Sequence, residues 1–211
     1  MALAKAMGVE SVISSHKTMV LGTSGMTVMD QATGYNTFAT GGLAGVRHAF
    51  TQVSDQNGKL LWDWKTDGNK PHRALTEKAA FNMNIMLSQV PEWGTGRRAA
   101  LPMTRVAGKT GTTQSYRDAW FVGFTGNYTA AVWFGNDNFT PTKELTGGIL
   151  PAMTWQRFMN YAHQNIDLKP IPGIDPAMPK QDKVAAAKPA TGDDAEALKA
   201  AERPRVLSNA T

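Results

Sequence analysis

Three consecutive strand-like runs constrain the fold more than any other feature of the sequence. They cover residues 104–113, 118–125 and 128–135, and Gly126-Asn127 forms a tight turn between the last two. The segments AWFVGF and TAAVWF within them carry apolar residues on both alternating faces. Such a sheet has no face for water, so the sequence predicts an antiparallel sheet that is covered on both sides.

Periodic apolar positions predict three helices that can provide this cover. The first has Thr27 as its N-cap and runs to the glycine pair at 41–42. The second covers residues 75–90, with Thr76 near its N-terminal cap, and ends at Pro91, because proline cannot continue a helix. The third follows Pro151, which suits a first helical turn. Its apolar stripe consists of Trp155, Phe158, Met159 and Ala162.

A β-hairpin is predicted between the first two helices. Val46–Val53 and Lys59–Trp64 are strand-like, and the Asn-Gly pair between them favours the positive φ of a tight turn. Trp62 and Trp64 fall on one face of the second strand, where packing explains them better than a sugar-binding platform does. The order of the elements indicates an α+β fold with three layers, α/β/α.

A change of composition after Ile166 divides the chain. Residues 1–166 contain all 18 aromatic residues, with 15 basic and 10 acidic residues. Residues 167–211 contain no aromatic residue, 7 basic and 7 acidic residues, 10 Ala and 6 of the 11 Pro. Such a segment cannot bury enough apolar surface to offset its ordering entropy. We therefore expect residues 1–166 to be the folded part and residues 167–211 to be a disordered, Pro/Ala-rich tail.

Several function classes are excluded by composition. The chain has no cysteine, which removes thiolate nucleophiles and cysteine metal sites. Its four histidines, His16, His48, His72 and His163, show no metal-ligand spacing, so neither a metal nor a cofactor is expected. No run of apolar residues is long enough for a membrane helix, and the first residues lack the features of a signal peptide.

The net charge of +5 favours binding of an anionic partner. No nucleic-acid recognition motif accompanies it, so no nucleic acid is expected. Residues 93–117 contain five basic residues and no acidic one, which favours a local field for a small carboxylate. Arg117 adjoins Asp118 at the start of a strand. An ion pair between the two residues explains their presence there at least as well as a contact with substrate does.

The densest chemical signal is Ala107–Thr113, AGKTGTT. It resembles the end of a phosphate-binding P-loop, but the first glycine of that pattern would fall at Met103, which excludes it. Period 2 places Thr110 and Thr112 on one face of a strand, where two hydroxyls and a nearby ammonium can clamp a carboxylate. Gly111 has no Cβ and lets a ligand approach the backbone. The alternative interpretation is that Lys-Thr-Gly only begins a strand and has no function.

Several motifs in sequence order carry a resemblance to a known family. They are Leu21–Ser24, Tyr35–Gly42, Gly94–Gly96, Ala107–Thr113, Arg117–Gly123 and Val132–Gly135. Over about residues 1–165 the chain resembles the C-terminal part of the transpeptidase domain of class A, bifunctional penicillin-binding proteins, and Lys-Thr-Gly is a motif that these proteins share with serine β-lactamases. The resemblance implies part of a fold with a five-stranded antiparallel sheet between helices, in which residues 104–135 supply the last three strands.

The resemblance also implies an activity: serine acyl transfer that crosslinks peptidoglycan at the periplasmic face of the bacterial inner membrane. It implies that Lys109 and Thr112 are catalytic, with Lys109 orienting the serine of an S-x-N motif and the Thr112 N–H donating to the oxyanion. Thr110, Gly111, Thr112 and Thr113 would bind the carboxylate end of a D-Ala-D-Ala stem peptide or of a β-lactam.

Two motifs of the family are not found. In the family, the S-x-x-K nucleophile and S-x-N precede the segment matched by Leu21-Gly22, and this sequence contains no S-x-N. Ser14–Lys17 fits S-x-x-K only as a string, without the apolar surroundings of a nucleophile helix, and is interpreted as a polar loop. We therefore expect a chain that is inactive alone, that needs the upstream part of the same domain, and that meets the membrane only through an N-terminal anchor outside this sequence.

Two alternatives stay open. The chain can be a non-catalytic binding module or truncated remnant, including one that completes the site of another polypeptide. A serine β-lactamase-like hydrolase is the weaker alternative, because the tryptophan-rich strands and the long tail fit it less well.

Overall fold

The computed structural model describes residues 1–174. The helices are α1 (Ala2–Ala6), α2 (Val28–Ala39), α3 (Trp64–Asp67), α4 (Glu77–Glu92) and α5 (Leu150–Ala162). The strands are β1 (Leu43–Ala44), β2 (Gln52–Ser54), β3 (Leu60–Asp63), β4 (His72–Arg73), β5 (Ala107–Thr112), β6 (Asp118–Phe124) and β7 (Thr129–Gly135). Short 3-10 turns lie at Lys17–Leu21, Arg97–Ala99 and Gln114–Tyr116. None of the helices in these residues has the length and apolar character to cross a bilayer.

The three predicted strand runs form one antiparallel sheet in the order β5-β6-β7. The register pairs Thr112 with Ala119, and Asp118 with Gly135. Two small antiparallel pairs, β1-β4 and β2-β3, lie outside this sheet. Within residues 1–174, β5 and β7 each pair with β6 alone, so both are edge strands.

Helices cover both faces of the sheet, and the predicted α/β/α arrangement is confirmed. On one face, Trp155 and Met159 of α5 are fully buried against Phe121 of β6, with 5.2 Å between the Trp155 and Phe121 ring centroids. On the other face, Phe124 of β6 packs with Leu87 of α4 and with half-buried residues of α2. Full burial of large side chains of this kind is the main stabilising term of such a layered fold.

The predicted caps of two helices are confirmed. The Thr27 side chain accepts a hydrogen bond from the Asp30 N–H at 3.1 Å, and that of Thr76 accepts one from the Ala79 N–H at 3.3 Å. The prediction that Pro91 ends the second helix is wrong, because α4 continues to Glu92. Pro91 has the fixed φ of a helix and gives up only one hydrogen bond in this last turn.

Two other local predictions are corrected. Trp64 begins α3 instead of ending the hairpin strand, because the Asp63 side chain accepts a hydrogen bond from the Lys65 N–H at 2.7 Å and caps the helix. The Trp64 ring stacks on His48 with 3.9 Å between centroids. Phe158 does not belong to the buried stripe of α5, since it is 56% exposed. The stripe is narrower and follows the i, i+4 pair Trp155 and Met159.

The chain continues to pack beyond residue 166. Ile171 and Ile174 are buried in the same cluster as Leu87, and the Asn84 side chain donates a hydrogen bond to the Pro172 carbonyl at 2.9 Å. The rest of the predicted tail, residues 175–211, lies outside the described residues. The division of the chain at residue 166 therefore stays a prediction.

Candidate active site

The predicted site residues lie on β5 and on the turn that follows it. Lys109 and Gly111 are opposite Val122 and Trp120 of β6, whereas Thr110 and Thr112 are opposite Phe121 and Ala119. Because side chains alternate along a strand, Thr110 and Thr112 share one face, as predicted, and Lys109 leaves from the other.

Gly108 is needed where β5 passes close to β6. A Cβ at this position would lie 2.7 Å from the Val122 carbonyl oxygen and 2.9 Å from the Gly123 Cα. Both contacts are with backbone, which cannot move without separating the strands. Gly111 is also tight, since its Cβ would lie 3.2 Å from that of Trp120.

An open cavity of about 1200 Å³ runs along β5. Its first wall is residues 109–115, so all five predicted residues line it: Lys109, Thr110, Gly111, Thr112 and Thr113. Trp120, Val122 and Trp133 of β6 and β7 also line it. The second wall is the loop at residues 21–27 with the first turns of α2. A cleft with apolar walls and a few convergent polar groups is the usual form of a ligand site.

The polar side chains of β5 use part of their hydrogen-bonding capacity within the protein. Thr110 Oγ1 lies 2.6 Å from Thr95 Oγ1, and Thr112 Oγ1 accepts a hydrogen bond from the Gly147 N–H at 3.1 Å. Lys109 Nζ donates to the Thr110 carbonyl at 2.9 Å. The Thr112 hydroxyl hydrogen and two ammonium hydrogens of Lys109 are thus left to donate, and these are the groups that a carboxylate accepts.

Thr113 has a different environment from the other two threonines. Its hydroxyl donates to Asp118 Oδ2 at 3.1 Å and accepts from the Asp118 N–H at 2.8 Å. The hydroxyl therefore closes the end of the β5-β6 pair, although Thr113 also lines the cavity.

The turn between β5 and β6 has an unusual backbone. Ser115 and Tyr116 have φ values of 58° and 53°, in the left-handed region that side chains disfavour. The Tyr116 carbonyl accepts hydrogen bonds from both the backbone N–H and the hydroxyl of Thr142, which hold the turn in place.

Arg117, the last residue of this turn, also lines the cavity. It forms no ion pair with Asp118, and this corrects one sequence interpretation. The Asp118 oxygens are taken by the Thr113 hydroxyl and by Trp133 Nε1 at 2.9 Å, while the Arg117 guanidinium lies over the Phe139 ring at 4.6 Å.

Comparison with known proteins assigns the family. Residues 10–154 match the family model described as the penicillin binding protein transpeptidase domain. The chain belongs to this family. The resemblance found in the sequence is thereby confirmed, and so is the fold class.

Curated relatives of this transpeptidase family include Penicillin-binding protein 4 of Bacillus subtilis (strain 168). It is 35% identical over 143 residues, which is 67% of this chain and 22% of that protein. Penicillin-binding protein 1A of Neisseria flavescens is 32% identical over 165 residues, 76% of this chain and 21% of the relative. The chain spans about a fifth of the length of these relatives.

A solved structure of the PonA1 protein from Mycobacterium tuberculosis, in complex with penicillin V, has the same fold. It superimposes with a TM-score of 0.73 at 26% identity, over 80% of this chain and 50% of that one. Penicillin-Binding Protein 1A from Haemophilus influenzae shares the fold at 21% identity, with a TM-score of 0.67.

Ser14–Lys17 does not itself line the cavity, and its four residues are exposed, as expected for a polar loop. Ser14 is exposed, its hydroxyl accepts a hydrogen bond from the His16 N–H at 3.1 Å, and Lys17 starts a 3-10 turn instead of an α-helix. The serines that do line the cavity are Ser24 and Ser115. The Ser24 hydroxyl accepts a hydrogen bond from the Ser14 N–H at 3.0 Å.

The histidines have other contacts. His72 lies 2.9 Å from the Ala6 carbonyl, and His163 bridges the Thr125 hydroxyl and the Met159 carbonyl at 2.8 and 2.7 Å. Among residues 1–174, no group of three or more histidines and carboxylates is placed to hold a metal ion.

Sequence reasoning missed several residues that form the cavity. Trp120, Trp133 and Tyr35 belong to motifs that carry the family resemblance but were given no place in the site, and Gln31 received no role, yet all four line the cavity. For the two tryptophans the available signal was the strand register, because Trp120 pairs with both Gly111 and Trp133. Gln31 comes from a helix distant in sequence and carried no local signal.

Proposed function

We propose that this chain forms the carboxylate-binding and oxyanion side of a peptidoglycan D,D-transpeptidase site, which crosslinks cell-wall peptides by serine acyl transfer. One observation carries the proposal: Lys109, Thr110, Gly111, Thr112 and Thr113 line one cavity along an edge strand. The ligands would be stem peptides that end in D-Ala-D-Ala, and the β-lactams that resemble them.

Carboxylate binding is assigned to the hydroxyl face of β5. Thr112 has a hydroxyl hydrogen left to donate after it accepts from Gly147, and Thr110 shares its face. Lys109 adds a positive charge that strengthens these hydrogen bonds. In the complete site, Lys109 would also orient the serine of the S-x-N motif.

The oxyanion role is assigned to the backbone N–H of Thr112. The Thr113 N–H donates to the Asp118 carbonyl at 3.0 Å, toward β6. Because successive N–H groups along a strand point in opposite directions, that of Thr112 is directed to the free edge. Loss of one such donor commonly slows acyl transfer about 10²–10³-fold.

The serine nucleophile and its base are assigned to the upstream part of the same domain. The complete protein would act at the periplasmic face of the inner membrane, held by an anchor outside this sequence. Neither this chain alone nor a single residue of it is proposed to complete the reaction.

Equilibrium binding of benzylpenicillin to the 211-residue chain, measured by ligand-observed NMR, tests the proposal. Thr112→Val removes the hydroxyl with little change of shape, and we expect about tenfold weaker binding because a hydrogen bond to a charged group is lost. Thr51→Val is the matched control, since Thr51 is exposed and lies outside the cavity. Absent binding, or equal affinities of the two variants, would refute the proposal.

A further inference from the structure

We propose that Arg117 makes the cavity selective for ligands that carry a second carboxylate, in addition to the one assigned to the β5 hydroxyls. This inference rests on the proposed function and adds a specificity-determining residue to the same site. The ligands it concerns are β-lactams and peptides with an acidic side group.

The Arg117 side chain has no anionic partner of its own. Within residues 1–174 its guanidinium has neither an ion pair nor a hydrogen bond, and its Nε is buried without an acceptor. The buried Nε is not accessible to a ligand, but Arg117 lines the cavity and the terminal N–H groups of a guanidinium are donors that a carboxylate can accept from.

The acidic residues that flank Arg117 in sequence, one on each side, are already committed. Asp118 accepts hydrogen bonds from Thr113 and Trp133, and Glu92 forms an ion pair with Arg105. No acidic residue lies between Glu92 and Arg117. The positive charge of Arg117 is therefore available to a ligand in the cavity.

The position of Arg117 is held from two sides. Its Cζ lies over the Phe139 ring, 4.6 Å from the ring centroid, in a cation–π contact. The preceding residue, Tyr116, is fixed through its carbonyl by Thr142. A fixed guanidinium loses little rotamer freedom when it binds a carboxylate.

Arg117 lies at the end of the β5-β6 pair that is next to Thr112. The Thr113 N–H donates to the Asp118 carbonyl at 3.0 Å, and Arg117 is the residue directly before Asp118. A ligand with one carboxylate at Thr110 and Thr112 that extends toward the turn brings its side group to Arg117. A ligand with an ammonium at that point would be repelled.

Two penicillins that differ by one carboxylate test this inference. Carbenicillin is benzylpenicillin with a carboxylate on the benzylic carbon. We expect the chain to bind carbenicillin about three- to fivefold more tightly than benzylpenicillin, as for a partly exposed charge pair. The preference should weaken as salt is added. In Arg117→Gln the two affinities should become equal.

Arg97→Gln is the matched control, because it removes the same charge from the same basic stretch. Arg97 is exposed, donates to the Trp93 carbonyl and does not line the cavity, so this variant should keep the preference. Equal binding of the two penicillins by the unmodified chain, or a preference that survives in Arg117→Gln, would overturn the inference and leave the proposed function intact.

Loss of both ligands separates the two proposals further. If the unmodified chain binds neither penicillin, the proposed function fails and the inference falls with it. If Arg117→Gln alone fails to bind either penicillin, the Arg117→Lys variant is measured instead, because lysine keeps the positive charge. A preference of Arg117→Lys for carbenicillin supports the inference, and equal affinities for the two penicillins overturn it.

Discussion

Asp30, at the start of α2, is expected to be the most sensitive charged position in the described chain. Its carboxylate is 2% exposed and accepts hydrogen bonds from the backbone N–H groups of Glu10 and Ser11 at 2.9 and 3.1 Å. The hydroxyl of Thr27 donates to it at 3.0 Å, and the Ser11 hydroxyl and Arg47 guanidinium are further donors. The carboxylate joins the N-terminal segment to α2 and to the loop that contains Arg47.

Asp30→Asn keeps the shape of the side chain but removes its charge and replaces one acceptor oxygen by an amide NH₂. That group would face donors, and Arg47 would lose its buried partner. Breaking a buried ion pair costs about 3–5 kcal/mol, and the partial exposure of Arg47 favours the lower end, about 3 kcal/mol. For a domain of this size such a loss lowers Tm by about 6–12 °C in a thermal melt followed by circular dichroism.

The same carboxylate predicts a pH dependence. Burial alone would raise the pKa of Asp30, but the hydrogen bonds from Ser11, the Glu10 N–H, Arg47 and Thr27 hold it well below its usual range. A group with a lowered pKa stabilises the fold above its unfolded pKa of about 4, and this contribution is lost as pH falls below that value. The unmodified chain should therefore lose more stability below pH of about 4 than Asp30→Asn does.

Glu10→Gln is the control for charge near Arg47. The Glu10 side chain is 77% exposed and 3.4 Å from Arg47, so its loss should change the free energy of unfolding by about 0.5 kcal/mol or less. Two results would refute this account of Asp30. One is an Asp30→Asn protein with the same Tm as the unmodified chain, and the other is an equal loss of stability of the two proteins in acid.

Three further outcomes are expected. Gly108→Ala should cost about 1–3 kcal/mol of unfolding free energy, because its Cβ meets the Val122 carbonyl, whereas Gly25→Ala, with open space around it, should be nearly neutral in urea unfolding. Trp155→Ala should cost about 3–5 kcal/mol and Phe158→Ala much less, since only the first is fully buried; equal losses would contradict the described packing of α5. A fluorescent penicillin should leave no covalent label on the chain, and a mass-mapped adduct on any serine would show that the chain supplies its own nucleophile.

The main elements of the fold could be predicted because their signals are local. Period-2 runs with two apolar faces gave the sheet, and the capping residues Thr27 and Thr76 gave the starts of two helices. Trp64 and Phe158 were misassigned for physical reasons. Trp64 follows a strand pattern, but the Asp63 carboxylate caps a helix that begins there. Phe158 fits the helical spacing, but its position on α5 faces solvent.

The candidate site was predictable only in part. Lys109–Thr113 stand together in sequence, so one motif identified the strand. The environment of Asp118 could not be predicted, because its partner Trp133 lies on the next strand. The Trp133 Nε1 donates to a carboxylate oxygen of Asp118 that was expected to pair with Arg117. The cluster around Asp30 gathers residues from three segments, and such non-local arrangements leave no periodic signal.

The most direct test of the central claim is the ¹⁵N–¹H NMR spectrum of the 211-residue chain titrated with benzylpenicillin. If β5 forms the carboxylate and oxyanion side of a transpeptidase site, the largest saturable shifts will fall on the amides of Lys109 to Thr113, with the Thr112 amide moving downfield. Saturable shifts confined to other segments, or no shifts at all, would contradict the account.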